Sequence, residues 1–148
     1  LAPRDVPDAV YRMRVALAQH GLPLDKVLIE AMIPDAEREV ILGVKRVSSM
    51  GLAMILGPGG RDVEARGCAI HTLLLPLTDT ALDGALAALG LAGHDALRNT
   101  VTAFAGFAVA RADRLEAAEI NPLILTTGGE AIAADAVIQF RDPAGDTP

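Results

Sequence analysis

The stretch AEINPLILTTGGEAIAADAVI, residues 118–138, decides how the chain is read. Apolar and β-branched runs flank Thr127-Gly128-Gly129, the pattern of two strands joined by a short turn. With the turn centred on Gly128, Asn121 and Asp135 are each seven residues from the centre and stand opposite one another. Opposed residues of antiparallel strands point to the same face, with Cβ atoms roughly 5 Å apart. Glu119 lies two positions before Asn121 and shares that face. The other face takes Ile120, Ile124, Ile132 and Ile138, which suit a core. An amide oxygen and a carboxylate at this spacing can share a hard cation such as Mg²⁺, which prefers oxygen ligands and keeps waters or phosphate oxygens. The plainer reading is a solvated strand face with ordinary polar residues. A bulge in the hairpin would break the register on which the cation reading rests.

Outward from this hairpin, the chain has 148 residues, enough for one domain with its own core. Apolar residues make up 51% and aromatics only 3%, so the core must be aliphatic. A net charge of -6, with no basic cluster, argues against nucleic acid as a partner. Cys68 is the only cysteine, which rules out an intrachain disulfide and fits a cytoplasmic setting. No apolar run approaches the roughly 20 residues of a membrane-spanning helix, and no signal peptide is visible. The first residue is Leu1, which reads as a processed chain or a piece of a longer one.

Asp8–His20 has helical spacing with Gly21 as a stop. Lys26–Ile33, KVLIEAMI, reads as an apolar strand interrupted by Glu30, and Glu39–Val47, EVILGVKRV, as its hairpin partner. Leu52–Leu56 and Ala69–Leu75 read as further strands, separated by a glycine-rich loop from Gly57 to Gly67. Thr78–Leu89 is a helix with Thr78 as N-cap, and Asp95–Glu116 a long, Ala-rich one. Arg141–Pro148 reads as a flexible tail. Strands and helices come in blocks joined by hairpins, which gives α+β with a largely antiparallel sheet.

Gly57-Pro58-Gly59-Gly60 would let backbone N–H groups approach an anion, or is simply a Gly-Pro turn; no Gly-Lys-Ser/Thr follows, so it is no Walker loop. Glu30 and Glu39 would accept ribose hydroxyls or lie on a solvated strand face. His20 ends a helix, His94 lies in a Gly-flanked loop, and His71 reads as a packed histidine. No Ser-His-Asp or Cys-His set is visible.

Taken in order, VLIEAMIPDAEREVILGVKR, MILGPGG with its following Val-Glu, and AEINPLIL with AADAVI resemble the ATP-grasp region of ADP-forming acyl-CoA synthetases. This family includes the ADP-forming acetate–CoA ligases and is similar to the β subunit of succinyl-CoA ligase. The resemblance runs from about Val10 to Phe140 and implies the second, C-terminal lobe of an ATP-grasp domain over residues 1–140. It implies a reversible reaction in which acyl-CoA, ADP and phosphate give acid, CoA and ATP through a phosphohistidine on another domain. It implies Mg²⁺ (or Mn²⁺) held by Asn121 and Asp135, and Glu119 as the catalytic carboxylate that steadies the phosphohistidine. Glu30 and Met32 then lie beside the adenine. Glu39, or Glu37 in its place, meets the ribose; Gly59 and Gly60 face the phosphates, with Glu64 as the following acid. The implied partners are CoA-binding and CoA-ligase domains and an N-terminal ATP-grasp lobe, whose nucleotide-contacting lysine has no equivalent here.

The chain departs from the family pattern after Glu64. Where the family has an Asp and then Arg-Leu-Ala-Pro-Leu, ARGCAIHTLLLPL places Cys68 near the Asp and Thr72 near the Arg. This departure is what favours the alternative expectation, a catalytically degenerate ATP-grasp-like binding or regulatory module.

Overall fold

Val40, Leu42 and Val44 alternate with Glu39, Ile41, Gly43 and Lys45, and this period of two builds the central strand. The computed structural model describes residues 3–60 and 70–141. The chain divides into two units, Leu1–Ile33 and Pro34–Pro148. In the second, β1 (Ala36–Val47), β2 (Gly51–Pro58), β3 (His71–Leu74), β4 (Leu115–Thr126), β5 (Ala131–Ala133) and β6 (Ala136–Phe140) form one antiparallel sheet. Its order is β3-β2-β1-β4-β5, with β6 also paired to β4. Two helices, α2 (Asp79–Ala88) and α3 (Asp95–Ala110), pack on one face. The α+β class and the largely antiparallel sheet are as expected.

The helices are amphipathic for a simple reason of spacing. Leu97, Val101, Ala105 and Ala108 form one stripe of α3, and Leu82, Ala85 and Leu86 one stripe of α2. Both stripes bury against Val40, Leu42, Val44, Met54, Leu56, Leu115, Ala118, Leu123 and Leu125 of the sheet. Thr78 caps α2, its hydroxyl accepting from Ala81 N–H at 3.3 Å, as its residue type suggested. His94 caps α3 in the same manner, Nδ1 accepting from Leu97 N–H at 3.2 Å.

The α3 helix ends at Ala110, short of the expected Glu116. Arg111–Arg114 turns the chain, and Leu115, fully buried, already belongs to β4. Arg46 fixes this junction: its guanidinium donates to the carbonyls of Leu115, at 2.9 Å and 3.2 Å, and of Ala112. Local helix propensity loses here to a sheet position that buries a leucine.

The face assignment of the isoleucines is also corrected. Between Val40 and Leu42 of β1, β4 advances from Leu123 to Ile120, one residue more than its partner. This β-bulge at Asn121-Pro122 inverts the alternation, so Leu123 and Leu125 enter the core. Ile124 pairs with Glu39 and Ile132 and lies on the face away from the helices. Ile138, at the edge, is 51% exposed, and only Ile120 packs against the core.

The first unit holds a short 3₁₀ turn and α1 (Val6–Ala18), followed by Gly21 at φ +69 as the stop. Lys26–Ile33 is not a strand, and β1 pairs with β2 and β4 instead. A strand needs a neighbour for its N–H and C=O groups, and this unit contains none among the described residues. Leu28, Ile29 and Met32 are accordingly exposed. The glycine-rich segment is likewise shorter at its start than expected, because Gly57 and Pro58 belong to β2, where Gly57 packs under Ile70. Cys68 and Glu64 lie outside the described residues, as does all of the expected tail after Arg141. Arg141 itself is tied to the fold, its N–H donating to Arg114 O at 2.9 Å and its Nε to Asp113 O at 2.9 Å. His71, at the start of β3, is half-buried rather than fully packed. Among the described residues no helix is long and apolar enough to cross a membrane.

Candidate functional site

The returning strand of the opening hairpin is read in two pieces, β5 and β6, but in one register. Ile124 pairs with Ile132, Ile120 with Ala136 and Glu119 with Val137, all symmetric about Gly128. Across the gap between the two pieces, Ala134 N–H donates to Pro122 O and Asn121 N–H donates to Asp135 O, both at 3.1 Å. Asn121 and Asp135 therefore oppose each other as the turn chemistry indicated. The bulge that changes the core lies on the other edge of β4, against β1, and leaves the hairpin register untouched.

Glu119, Asn121 and Asp135 line one cleft of about 570 Å³ on the sheet face away from the helices. Its floor is low because small residues build it. Gly43 pairs with Glu119 on one side and Ile55 on the other, and a Cβ there would stand 3.0 Å from Ile55. Ala117 and Ala53 flank Lys45 in the next row. The Asn121 amide donates from Nδ2 to Glu119 Oε1 at 3.0 Å. That bond turns Oδ1, the oxygen able to meet a cation, away from Glu119.

The donor set fits a hard divalent ion of the kind that completes its shell with water and phosphate oxygens: one amide oxygen, one carboxylate, and a second carboxylate engaged by the amide. Among the described residues no group of three or more His, Cys, Asp or Glu surrounds a common point. The site is thus unlike a closed structural metal centre.

Glu39, Gly59 and Gly60 form a second cluster on the sheet. Gly59 N–H donates to Glu39 O at 2.8 Å. A Cβ on Gly59 would lie 3.1 Å from the Val40 backbone, so glycine lets the loop rest this closely on β1. Gly60 has φ +77, and a Cβ on it would collide with Glu39 Oε2. The loop and the Glu39 carboxylate are in this way held side by side. Glu37 is exposed two positions earlier on the same strand. Glu30 and Met32 belong to the first unit, where both are exposed on a stretch with neither helix nor strand.

Two side chains on the open face escaped the sequence reading. Lys45 and Gln139 also line the cleft. The signal for Lys45 was present in the alternation of EVILGVKRV, which puts Glu39, Gly43 and Lys45 on one side. Thr72 pairs with Ile55 and stands exposed on that face as well.

A family model described as an ATP-grasp domain matches residues 2–140. The chain belongs to the ATP-grasp family. The succinate–CoA ligase [ADP-forming] β subunit of Solibacter usitatus is 34% identical to this ATP-grasp domain over 134 residues, covering 84% of the chain and 34% of that protein. The corresponding β subunit of Anaeromyxobacter dehalogenans is 32% identical over 139 residues, again covering 84% and 34%. The chain therefore spans about a third of the length of these curated relatives. Among solved structures, the dinucleotide-forming acetyl-coenzyme A synthetase 1 of Ca. Korarchaeum cryptofilum, in complex with coenzyme A and acetyl-coenzyme A, superposes with a TM-score of 0.67 at 18% identity, over 95% of this chain and 68% of that one. Another structure of the same synthetase, with coenzyme A and Mg-AMPPCP, gives a TM-score of 0.58 at 19% identity, over 70% and 53%. These likenesses establish the fold.

Proposed function

We propose that this chain is the C-terminal, nucleotide- and Mg²⁺-binding lobe of an ATP-grasp domain in an ADP-forming acid–CoA ligase of the cytoplasm. Residues 1–140 form that lobe within a longer protein. The whole protein interconverts acyl-CoA, ADP and phosphate with acid, CoA and ATP, through a phosphohistidine on a CoA-ligase domain or subunit. The observation that carries this reading is the opposition of Asn121 and Asp135, with Glu119 bonded to the Asn121 amide on an open cleft.

Asn121 Oδ1 and the Asp135 carboxylate hold the divalent ion, which neutralises phosphate charge when bound. Glu39 accepts ribose hydroxyls, and Gly59 and Gly60 bring backbone N–H groups to the phosphates. Glu30 and Met32 contribute to the adenine side. Glu119 orients the arriving imidazole and supports its charged form. In the ATP-forming direction the P–N bond of the phosphoimidazole breaks and a P–O bond to the terminal phosphate of ADP forms. The imidazole nitrogen takes up a proton as it leaves. In such transfers positioning and electrostatics do most of the work.

The relatives' printed activity and the Mg-AMPPCP bound to a structural neighbour support this reading. Thr72, exposed where the family pattern has an arginine, favours a second one: a binding module that keeps nucleotide affinity without transfer. Titration of the full-length protein with ADP and Mg²⁺, followed by an assay for acid-labile histidine phosphorylation from ATP, separates the two. Binding with phosphorylation supports the ligase; binding without it supports the module.

A further inference from the structure

We propose that Lys45 is a phosphoryl-binding residue, its ammonium donating to the non-bridging oxygens of the group in transfer at the Glu119–Asn121–Asp135 cleft. This rests on the phosphoryl-transfer reading above. The sheet register carries it. Lys45 pairs with Ala117, and Gly43 with Glu119, so Lys45 and Glu119 are diagonal neighbours on one face. Diagonal positions on adjacent strands are roughly 7–8 Å apart, within the reach of a lysine stem. Both residues line the cleft.

The surroundings leave the ammonium available. Its cross-strand neighbours on either side are alanines, Ala53 and Ala117, which offer it no acceptor. Among the described residues Lys45 has no ion pair or hydrogen-bonding partner through its side chain. The adjacent Arg46 points to the other face and is used up at the Ala112 and Leu115 carbonyls. An exposed lysine on a floor of alanine and glycine contributes nothing to the core.

Charge supplies the need for it. Glu119 and Asp135 give the cleft two negative charges, which a divalent ion only cancels. A phosphoryl group arrives as an anion and must pass close to the Glu119 carboxylate. Lys45 makes the loaded cleft net positive and places that charge across from the carboxylate. A multi-donor cation suits an oxygen set that moves between donor and acceptor.

The test uses the full-length protein with Lys45→Ala and Lys45→Arg. Two quantities are read: the single-turnover rate of histidine phosphorylation from ATP with Mg²⁺, and the ADP dissociation constant by calorimetry. Loss of a charge-assisted hydrogen bond made to the transferring group should lower the Lys45→Ala transfer rate by about tenfold or more. ADP affinity should stay within about threefold, and Lys45→Arg should recover most of the rate. A Lys45→Ala enzyme that transfers as fast as its parent overturns the inference and leaves the proposed function standing. Parallel loss of ADP binding and transfer, unrelieved by arginine, marks a structural role and also overturns it. A parent enzyme that never phosphorylates its histidine removes the proposed function and this inference together.

Discussion

Replacing Gly59 by alanine adds one methyl group, and the structure fixes what that group meets. The new Cβ would lie 3.1 Å from Val40 N and C and 3.2 Å from Glu39 C. These are backbone atoms of the central strand β1, held by β2 on one side and β4 on the other, so they cannot retreat. The loop must move instead, by a few tenths of an ångström, and it strains the 2.8 Å bond from Gly59 N–H to Glu39 O. Overpacking of this kind costs about 1–3 kcal/mol. For a domain of this size each kcal/mol lowers Tm by about 3 °C, so the drop should be about 3–9 °C. Gly84→Ala is the control. Gly84 lies inside α2, with nothing within 4 Å of its Cβ position, so the same methyl should stabilise by about 0.5–1 kcal/mol. Urea denaturation of both variants measures the two signs directly. ADP calorimetry on the full-length protein then asks whether the displaced loop loses nucleotide, as it should if it faces the phosphates. Equal stabilities for Gly59→Ala and parent would refute the packing argument. Unchanged ADP affinity in a destabilised Gly59→Ala protein would refute the loop's role alone.

Other perturbations test the supports of the site. Arg46→Met keeps the apolar stem but leaves the Ala112 and Leu115 carbonyls without their donor; urea denaturation should show a loss of about 2 kcal/mol, with the half-buried, 3.9 Å ion pair to Glu116 adding little. Thr78→Ala removes the hydroxyl that caps α2 and should cost about 1 kcal/mol, whereas Thr78→Ser should be close to neutral. Glu119→Ala frees the Asn121 amide from its 3.0 Å bond; ADP·Mg²⁺ affinity should change by less than about threefold while histidine phosphorylation falls by about two orders of magnitude.

What the sequence could reveal follows from which forces are local. The turn at Thr127-Gly129 and a period of two fix the hairpin register, and both can be read by counting, so Asn121 and Asp135 were legible as a pair. The bulge at Asn121-Pro122 depends on the neighbouring strand, so counting along β4 alone gave Ile124 and Ile132 the wrong face, whereas Ile138 pairs with the buried Ala118 on the expected face but at the exposed sheet edge. Lys26–Ile33 has the composition of a strand, but composition does not supply a partner for its backbone groups. The end of α3 was hidden for the opposite reason: alanines continue towards Glu116, and only the burial of Leu115 in the sheet shows where the helix must stop. Lys45 was legible in its alternation with Glu39 and Gly43 but gained meaning only once β4 lay beside β1.

The central claim is that the polar face of this hairpin holds the cation of a phosphoryl-transferring ligase. The most direct measurement is Mg²⁺-dependent exchange between ADP and ATP, with phosphate, CoA and a panel of short acids, in the full-length protein and its Asn121→Ala and Asp135→Ala variants. The account predicts exchange in the parent and its loss in both variants, with far-UV spectra and denaturation midpoints close to the parent's, because both side chains are exposed. Undiminished exchange in either folded variant would contradict it.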